Sequence, residues 1–142
     1  MRKKSETQIF LEQVRRFDTM IQNKLIEKQQ WMEMATSITA NTDGERVQSS
    51  GAKSKMADAV IKCVDMQAEI DSLVDKLIEI KKDVIQTIEQ LNSPIEYNLL
   101  HMRYIQYKSL QEIADHYKKD YGWAKTTHGR AVSNVRLIRE KK

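Results

Sequence analysis

Proline, glycine and cysteine are all scarce in this chain of 142 residues. It has one proline, four glycines and one cysteine, Cys63, and only 6% of its residues are aromatic. So few helix-breaking residues argue against a loop-rich or all-β fold and favour long helices. A single cysteine excludes a disulfide within the chain, which suits the reducing cytosol.

Long apolar runs are also missing. No stretch of about 18 apolar residues occurs, so the sequence predicts no membrane span. The basic residues 1–4 are followed by polar residues 5–8 rather than by the apolar core of a signal peptide. The sequence also lacks zinc-ligand spacings, glycine-rich phosphate loops and nucleophile elbows. We therefore expect no metal, no cofactor and no enzymatic activity.

Two long segments have the apolar spacing of amphipathic helices, residues 6–39 and 55–91. The polar residues 40–54 between them predict a flexible loop, because they hold two glycines and show no period. The apolar stripe of the first helix comprises Phe10, Val14, Phe17, Ile21, Leu25, Trp31, Ala35 and Ile38. The stripe of the second comprises Met56, Val60, Cys63, Ile70, Leu73, Leu77, Ile80, Val84, Ile88 and Leu91, with Met66 or Gln67 in its gap.

Each of these apolar faces needs a partner. The sequence therefore predicts an all-α fold in which residues 1–92 form a long, coiled-coil-like helical hairpin. The hairpin could close within one chain or be shared between two chains, so a homo-oligomer through the long helices is expected.

Residues 93–142 carry the signals of three shorter helices. Ser93 is a cap for the first, Pro94 suits its first position and Glu96 sits at its third. Its inner face is predicted to hold Ile95, Leu99 and Met102.

The second of these helices begins at a capping box formed by Ser109 and Glu112. Its apolar residues are Leu110, Ile113, Ala114 and Tyr117. Lys118 and Lys119 form a turn, and Asp120 caps the third helix. The inner face of that helix is predicted to hold Ala124, Thr127, Ala131, Val135 and Ile138. The outer face is predicted to hold Gly122, Lys125, Thr126, Gly129, Ser133 and Arg136.

Positive charge is concentrated on this last helix and the tail that follows it. Residues 55–92 hold five basic and eight acidic residues, whereas residues 121–142 hold six basic residues and one acidic residue. Cations beside small residues allow close approach to a polyanion such as DNA. Two short helices, a tight turn and a basic second helix predict a C-terminal helix-turn-helix domain that binds double-stranded DNA. A merely solvated basic helix end is the alternative interpretation.

A sequence of short motifs strengthens this prediction. Met102-Arg103-Tyr104, then Ser109 to Ala114 (SLQEIA), then Asp120, then His128-Gly129-Arg130-Ala131 follow in order. Over about residues 94–140 the chain thereby resembles region 4, the promoter-reading domain of bacterial sigma-70 factors. It resembles more closely the sigma-like regulators that phages and prophages encode. The resemblance implies a transcriptional regulator in the cytoplasm of a bacterial host cell, with bacterial RNA polymerase as a partner.

The chain departs from the family pattern at three positions, one of which is Gly122 in the first turn of the last helix, where glycine costs about 1 kcal/mol relative to alanine. The turn position that is usually glycine is Lys118, which is therefore expected to adopt a left-handed backbone. A core position that is usually Val or Ile is Thr127, whose hydroxyl needs a partner if it is buried.

Seven residues are candidates for DNA contact: Lys118, Lys119, Tyr121, Trp123, Lys125, Thr126 and Arg130. Lys125 and Thr126 lie early in the last helix, where base edges are usually reached. Tyr121 and Trp123 either pack on DNA or cover the turn. Contacts within the fold are expected instead for Arg103 and His128.

Two other functions fit the same elements. A phage small-terminase-like DNA packaging subunit also combines a helix-turn-helix with long helices. A helical interaction protein that has lost DNA binding would use the long helices alone.

Overall fold

A computed structural model of the chain describes residues 4–42 and 50–141. Throughout these residues the secondary structure is helical and no strand occurs, so the predicted all-α class is confirmed. The helices are α1 (Glu6–Thr42), α2 (Ser50–Ile88), α3 (Pro94–Leu100), α4 (Leu110–His116) and α5 (Tyr121–Glu140). A π-helical turn, His101–Ile105, directly follows α3. Within the described ranges, every helix is too short or too polar to cross a membrane.

The chain divides into two compact units. The central unit is Asp18–Lys76, and the terminal unit combines Met1–Phe17 with Leu77–Lys142. Both α1 and α2 therefore contribute residues to each unit. The core of the terminal unit contains Phe10, Leu11, Val14, Val84, Ile88, Leu99, Leu100, Met102, Tyr104, Ile113, Ala131 and Val135. The core around the three short helices thus includes side chains from the first turns of α1 and the last turns of α2.

Helix extends into both ends of the segment that the sequence predicts as a loop, residues 40–54. Helix α1 ends at Thr42 rather than at residue 39, and α2 begins at Ser50 rather than at residue 55. Adding a residue to an existing helix costs far less than nucleating a new one. Polar residues without an apolar period can therefore continue a helix that packing has already formed. Residues 43–49, the middle of that predicted loop, lie outside the described residues.

In the central unit α1 and α2 run antiparallel. Lys24 Nζ lies 2.9 Å from Glu69 Oε2, and Lys28 Nζ donates to Gln67 Oε1 at 2.5 Å. Residue numbers thus rise along α1 as they fall along α2. The buried apolar side chains of this unit are Ile21, Ala59, Met66 and Ile70. Met66 fills the gap in the predicted stripe.

Parts of the predicted apolar stripes are wrong. Leu25 on α1 and Met56 and Val60 on α2 are exposed, whereas Leu11 and Ala59 are buried. A single neighbouring helix covers an arc of about 100°. A stripe assembled from every apolar residue is wider than that arc, so its edges remain in solvent. The side chain of Ile38 lies outside the described part of the structure.

The inner face of α3 also differs from the prediction. The Oγ of Ser93 accepts from the Glu96 amide, and Pro94 occupies the first helical position, as expected. Leu99 and Met102 are buried as predicted, but Ile95 is exposed and Leu100 is buried instead. The buried residues of α3 are Glu96, Leu99 and Leu100, which form one side of the helix, and Ile95 lies at the edge of that side.

The π-helical turn ends in a left-handed residue that the sequence did not indicate. Tyr107 has a φ of 62°, and the Arg15 guanidinium lies 5.4 Å from the centre of its ring. Arg103 Nη1 donates to the carbonyl of Lys108 at 3.1 Å. Arg103 thus makes the contact within the fold that was predicted for it, and it fixes the link that leads into α4.

Candidate nucleic-acid interface

Helix α4 begins at the predicted capping box. Ser109 Oγ accepts from the amide of Glu112 at 3.1 Å, and Glu112 Oε1 accepts from the amide of Ser109 at 3.1 Å. These bonds from Ser109 hold the pKa of the Glu112 carboxyl below its ordinary value. Ile113 and Ala114 are fully buried behind the cap. The start of α4 is therefore fixed both by local hydrogen bonds and by the core.

The turn after α4 has the hydrogen bonds of a Schellman motif. The amide of Lys119 donates to the carbonyl of Ala114 at 2.8 Å, and the amide of Lys118 donates to the carbonyl of Asp115 at 3.1 Å. Lys118 has a φ of 56°, which confirms the left-handed backbone expected from the sequence. Both lysine side chains are exposed. The turn thus presents two cations next to the start of α5.

Replacing Lys118 by glycine will stabilise the chain. A left-handed backbone costs a residue with a Cβ about 1 kcal/mol, and glycine removes this cost. Glycine also gives the unfolded chain more conformational freedom, which offsets part of the gain in stability. We expect the free energy of unfolding, measured by urea titration, to rise by about 0.5 to 1 kcal/mol. Lys119→Gly is the matched control, because Lys119 has no positive φ. An equal rise in both variants would contradict the backbone explanation.

Helix α5 begins at Asp120, whose Oδ1 accepts from the amide of Trp123 at 2.8 Å. The ring of Trp123 lies 5.4 Å from the ring of Tyr117, centre to centre. Tyr117 in turn accepts from Asn98 Nδ2 at 2.6 Å. Trp123 is half-buried and covers the turn, which is one of the two roles predicted for it. Tyr121, by contrast, is exposed.

The two faces of α5 separate largely as the sequence predicts. Ala124, Thr127, Ala131 and Val135 are buried, and Ile138 is half-buried. The exposed residues of the opposite side are Gly122, Lys125, Thr126, Gly129, Arg130, Ser133 and Arg136. The candidates Lys125, Thr126 and Arg130 therefore share one solvent-facing surface, which we call the outer face of α5.

The two glycines of the outer face are not required by the fold. A Cβ at Gly129 would have no atom within 4 Å, and a Cβ at Gly122 would meet only Asp120 Oδ1 at 3.4 Å. Glycine inside a helix costs about 1 kcal/mol relative to alanine. No internal contact accounts for that cost. Their effect is a surface that another molecule can approach down to the helix backbone.

The cations of this region lack acidic neighbours. Within residues 4–42 and 50–141, the ion pairs within 4 Å join Lys4 to Glu12, Lys24 to Glu69 and Arg136 to Glu140. None of them engages the four candidate cations, which are Lys118, Lys119, Lys125 and Arg130. Among the described residues no acidic side chain neutralises their charge, which leaves it for an anionic partner in that part of the chain.

His128 faces inward, as expected. Its Nε2 lies 2.6 Å from the hydroxyl of Tyr104. Burial lowers the pKa of His128, with a smaller contribution from Arg103. Burial also raises the pKa of the Tyr104 hydroxyl well above its ordinary value. Tyr104 therefore keeps its proton and His128 is neutral, and the hydrogen bond between them ties α5 to the π-helical turn.

The neutral state of His128 makes stability depend on pH. Because its folded pKa lies below the unfolded value of about 6.5, the unfolded chain binds this proton more readily. The stability contribution is complete above about pH 6.5 and is lost as the pH falls through the folded pKa. Between about pH 7 and about pH 5 we expect the Tm of the wild-type chain, followed by circular dichroism, to fall more than that of His128→Gln. Parallel curves for the two proteins would contradict this origin.

One buried polar contact of α5 was not predicted from the sequence. Glu96 is only 8% exposed, and its Oε1 accepts from Asn134 Nδ2 at 2.7 Å. A glutamate at the third helical position ordinarily indicates a capping box, so nothing in the sequence distinguished this arrangement. The bond joins α3 to α5 and helps to set the orientation of the outer face.

The C-terminal turn of α5 contributes fewer free cations than its composition indicates. The Arg139 guanidinium lies 4.0 Å from the centre of the Phe10 ring, and Arg136 approaches Glu140 at 3.7 Å. Cation–π contacts of this kind stabilise a fold by about 0.5 to 1 kcal/mol. Among the described residues of the turn and α5, the cations without such a contact are therefore Lys118, Lys119, Lys125 and Arg130.

Comparisons with protein-family models, with curated proteins and with solved structures give no match to this chain. Across the described residues, no three His, Cys, Asp or Glu side chains are grouped as a metal site requires. The functional argument therefore depends on the geometry and chemistry of the outer face of α5.

Proposed function

We propose that the chain is a DNA-binding transcriptional regulator in which α4, the turn and α5 form a helix-turn-helix. In such motifs the second helix lies in the major groove and the first crosses the phosphate backbone. The observation that carries the proposal is the outer face of α5, where open glycines lie beside Lys125 and Arg130, which have no acidic partner among the described residues, and opposite a buried face. That combination suits a helix that must approach a polyanion closely.

The position of each residue along α5 assigns its role. Lys125 and Thr126 lie in the second turn of the helix, and in this motif the N-terminal part of the second helix contacts base edges. A lysine can donate to the acceptors of guanine, and a threonine methyl can contact the methyl group of thymine. Arg130 lies one further turn along and contacts phosphate, as do Lys118 and Lys119 at the turn.

The aromatic residues at the start of α5 have different roles. The exposed Tyr121 packs against the sugar-phosphate backbone. Trp123 holds the start of the helix through its contact with Tyr117. Trp123 is therefore a positioning residue rather than a direct DNA contact in this proposal.

The resemblance to phage and prophage sigma-like regulators supports promoter DNA as the target. Its motif residues include the Ser109 and Asp120 caps, which begin α4 and α5, and the HGRA segment of α5, whose His128 is hydrogen-bonded to Tyr104. The same resemblance favours bacterial RNA polymerase as a further partner. The long helices α1 and α2 are then the parts that bind polymerase or a second copy of the chain.

Enrichment of sequences from a random duplex DNA pool by the purified full-length chain tests this function. Recovery of a shared motif at near-physiological salt is the expected result, because base contacts add to the salt-sensitive phosphate contacts. The symmetry and half-site spacing of the motif would then report whether a dimer reads it. Binding that is purely salt-sensitive, with no enriched motif, would overturn site-specific reading and favour a helical interaction protein.

A further inference from the structure

Helix α2 has a second apolar face that its own chain leaves uncovered. In the central unit its buried side is formed by Ala59, Met66 and Ile70. On another side, Val60, Ile61 and Val64 are 50%, 57% and 65% exposed. At about 100° per residue, the centre of this group lies more than about 100° around the helix from the buried side. One neighbouring helix cannot cover both faces.

This second face is continuous and free of charge over three turns. Exposed Ala57 and Ala68 lie at its two ends, and Val60, Ile61 and Val64 lie between them. All five fall within an arc of about 100°, over a length of about 17 Å. Contiguous apolar surface of this kind, rimmed by polar residues, marks a site of protein association. We call it the outer face of α2.

Charges of opposite sign flank the two ends of this face. The exposed Lys53 lies one turn before Ala57, and the exposed Asp71 lies just after Ala68. They are 18 residues apart, which is five helical turns, so they point in the same direction as the apolar residues between them. Asp71 accepts from Gln67 Nε2 at 2.8 Å, which holds its carboxylate on this side of the helix.

We propose that the outer face of α2 binds the same face of a second copy, with the two α2 helices antiparallel. When the two-fold axis of such a pair passes midway between Ile61 and Val64, Ile61 of one copy lies opposite Val64 of the other. This arrangement also places Ala57 opposite Ala68, and Lys53 within about 1.5 Å of the axial position of Asp71 of the second copy. A two-fold interface must be self-complementary, and this face is.

A parallel arrangement does not use the same charges. It would place Lys53 beside Lys53 and Asp71 beside Asp71, where like charges repel. The pattern of charge therefore selects the antiparallel pair.

This inference rests on the oligomer part of the proposed function. The test of the inference contains no DNA, so a negative result leaves the DNA-binding proposal to be decided by its own experiment. Sedimentation equilibrium of the full-length chain over micromolar to submillimolar concentration is expected to give twice the 16.6 kDa chain mass. Val64→Glu is expected to give the mass of one chain with an unchanged helical circular dichroism spectrum. The matched control is Ile26→Glu, which alters an equally exposed aliphatic residue on α1 and is expected to remain dimeric.

A charge exchange tests the antiparallel register. Lys53→Glu is expected to weaken the dimer, and the combined variant Lys53→Glu with Asp71→Lys is expected to restore it, because every contact between the two positions is again between opposite charges. A wild-type chain that remains monomeric would overturn the proposal. So would a dimer that survives Val64→Glu, or a charge exchange that restores nothing.

Discussion

Replacing Lys125 and Arg130 together by alanine is expected to lower DNA affinity at least about thirty-fold at fixed salt. Each lost contact with a base or phosphate costs about 1 to 3 kcal/mol, and about 1.4 kcal/mol corresponds to a factor of ten in the dissociation constant. Both side chains are exposed and have no acidic neighbour within 4 Å in the described chain. Their removal therefore takes no ion pair from the fold, and the Tm should be nearly unchanged.

The measurement is a fluorescence anisotropy titration of a labelled duplex that carries the enriched motif, repeated at several salt concentrations. Loss of one phosphate contact should reduce the slope of log affinity against log salt by about 1. Loss of the Lys125 contact should also weaken discrimination between the motif and a duplex altered at one base pair. The two effects separate the phosphate role of Arg130 from the base-reading role of Lys125.

A control with the same change in net charge is essential, since the chain carries +4 and attracts any polyanion. Lys55 and Lys62 are exposed on α2 in the central unit, away from the proposed reading helix in sequence. Replacing both by alanine removes two charges as well, and we expect less than a few-fold change in affinity. If the two double variants weaken binding equally, net charge alone binds DNA and the outer face of α5 is not the reading surface.

The features that were predicted correctly from the sequence depend on residues close together in the chain. The caps at Ser93, Ser109 and Asp120 each join a side chain to an amide three residues later. Such bonds depend on local chemistry that a sequence displays directly. The left-handed backbone at Lys118 was predictable for a related reason, because a tight turn requires it whatever the residue.

The features that were missed depend on contacts between distant residues or on irregular backbone. The buried side of α3 is formed by Glu96, Leu99 and Leu100 rather than by the predicted Ile95, and no pattern in the sequence marks the π-helical turn that follows. Tyr107 adopts a positive φ, a backbone conformation that favours glycine, and the Arg15 guanidinium of α1 lies 5.4 Å from the centre of its ring. Six of the seven candidate DNA-contact residues are exposed, and the seventh, Trp123, is half-buried over the turn.

The boundary between the two parts of the chain is the feature that the sequence revealed least. The sequence predicts a division at residue 92, because Ser93 and Pro94 break the helical pattern there. In the structure, Leu11 and Val14 of α1 and Ile88 of α2 belong to the same core as Ile113 of α4. An amphipathic pattern reveals that a face is buried but not which element buries it.

Leu11→Ala is therefore expected to destabilise the terminal unit although Leu11 lies about a hundred residues before α4. Its side chain is fully buried, and truncation of a buried leucine costs about 2 to 5 kcal/mol. That cost is a large share of the roughly 5 to 15 kcal/mol that holds a typical domain folded. Leu25→Ala is the matched control on the same helix, since Leu25 is 41% exposed and should cost less than about 1 kcal/mol. Urea unfolding followed by circular dichroism measures both values.

The same contacts predict that residues 93–142 do not fold by themselves. The isolated fragment lacks Phe10, Leu11, Val14, Val84 and Ile88, which are five of the twelve residues of the core cluster. Without them Leu99, Leu100 and Ile113 face solvent, and fragments of this size already have few apolar residues to bury. We expect a disordered fragment with little helical circular dichroism and no DNA affinity beyond that of a short basic peptide. A fragment that folds and binds DNA site-specifically would show that the first turns of α1 are not required for the domain to fold. If it stays unfolded, DNA reading by α5 depends on both ends of the chain, and changes in α1 can then alter DNA affinity without any contact with DNA.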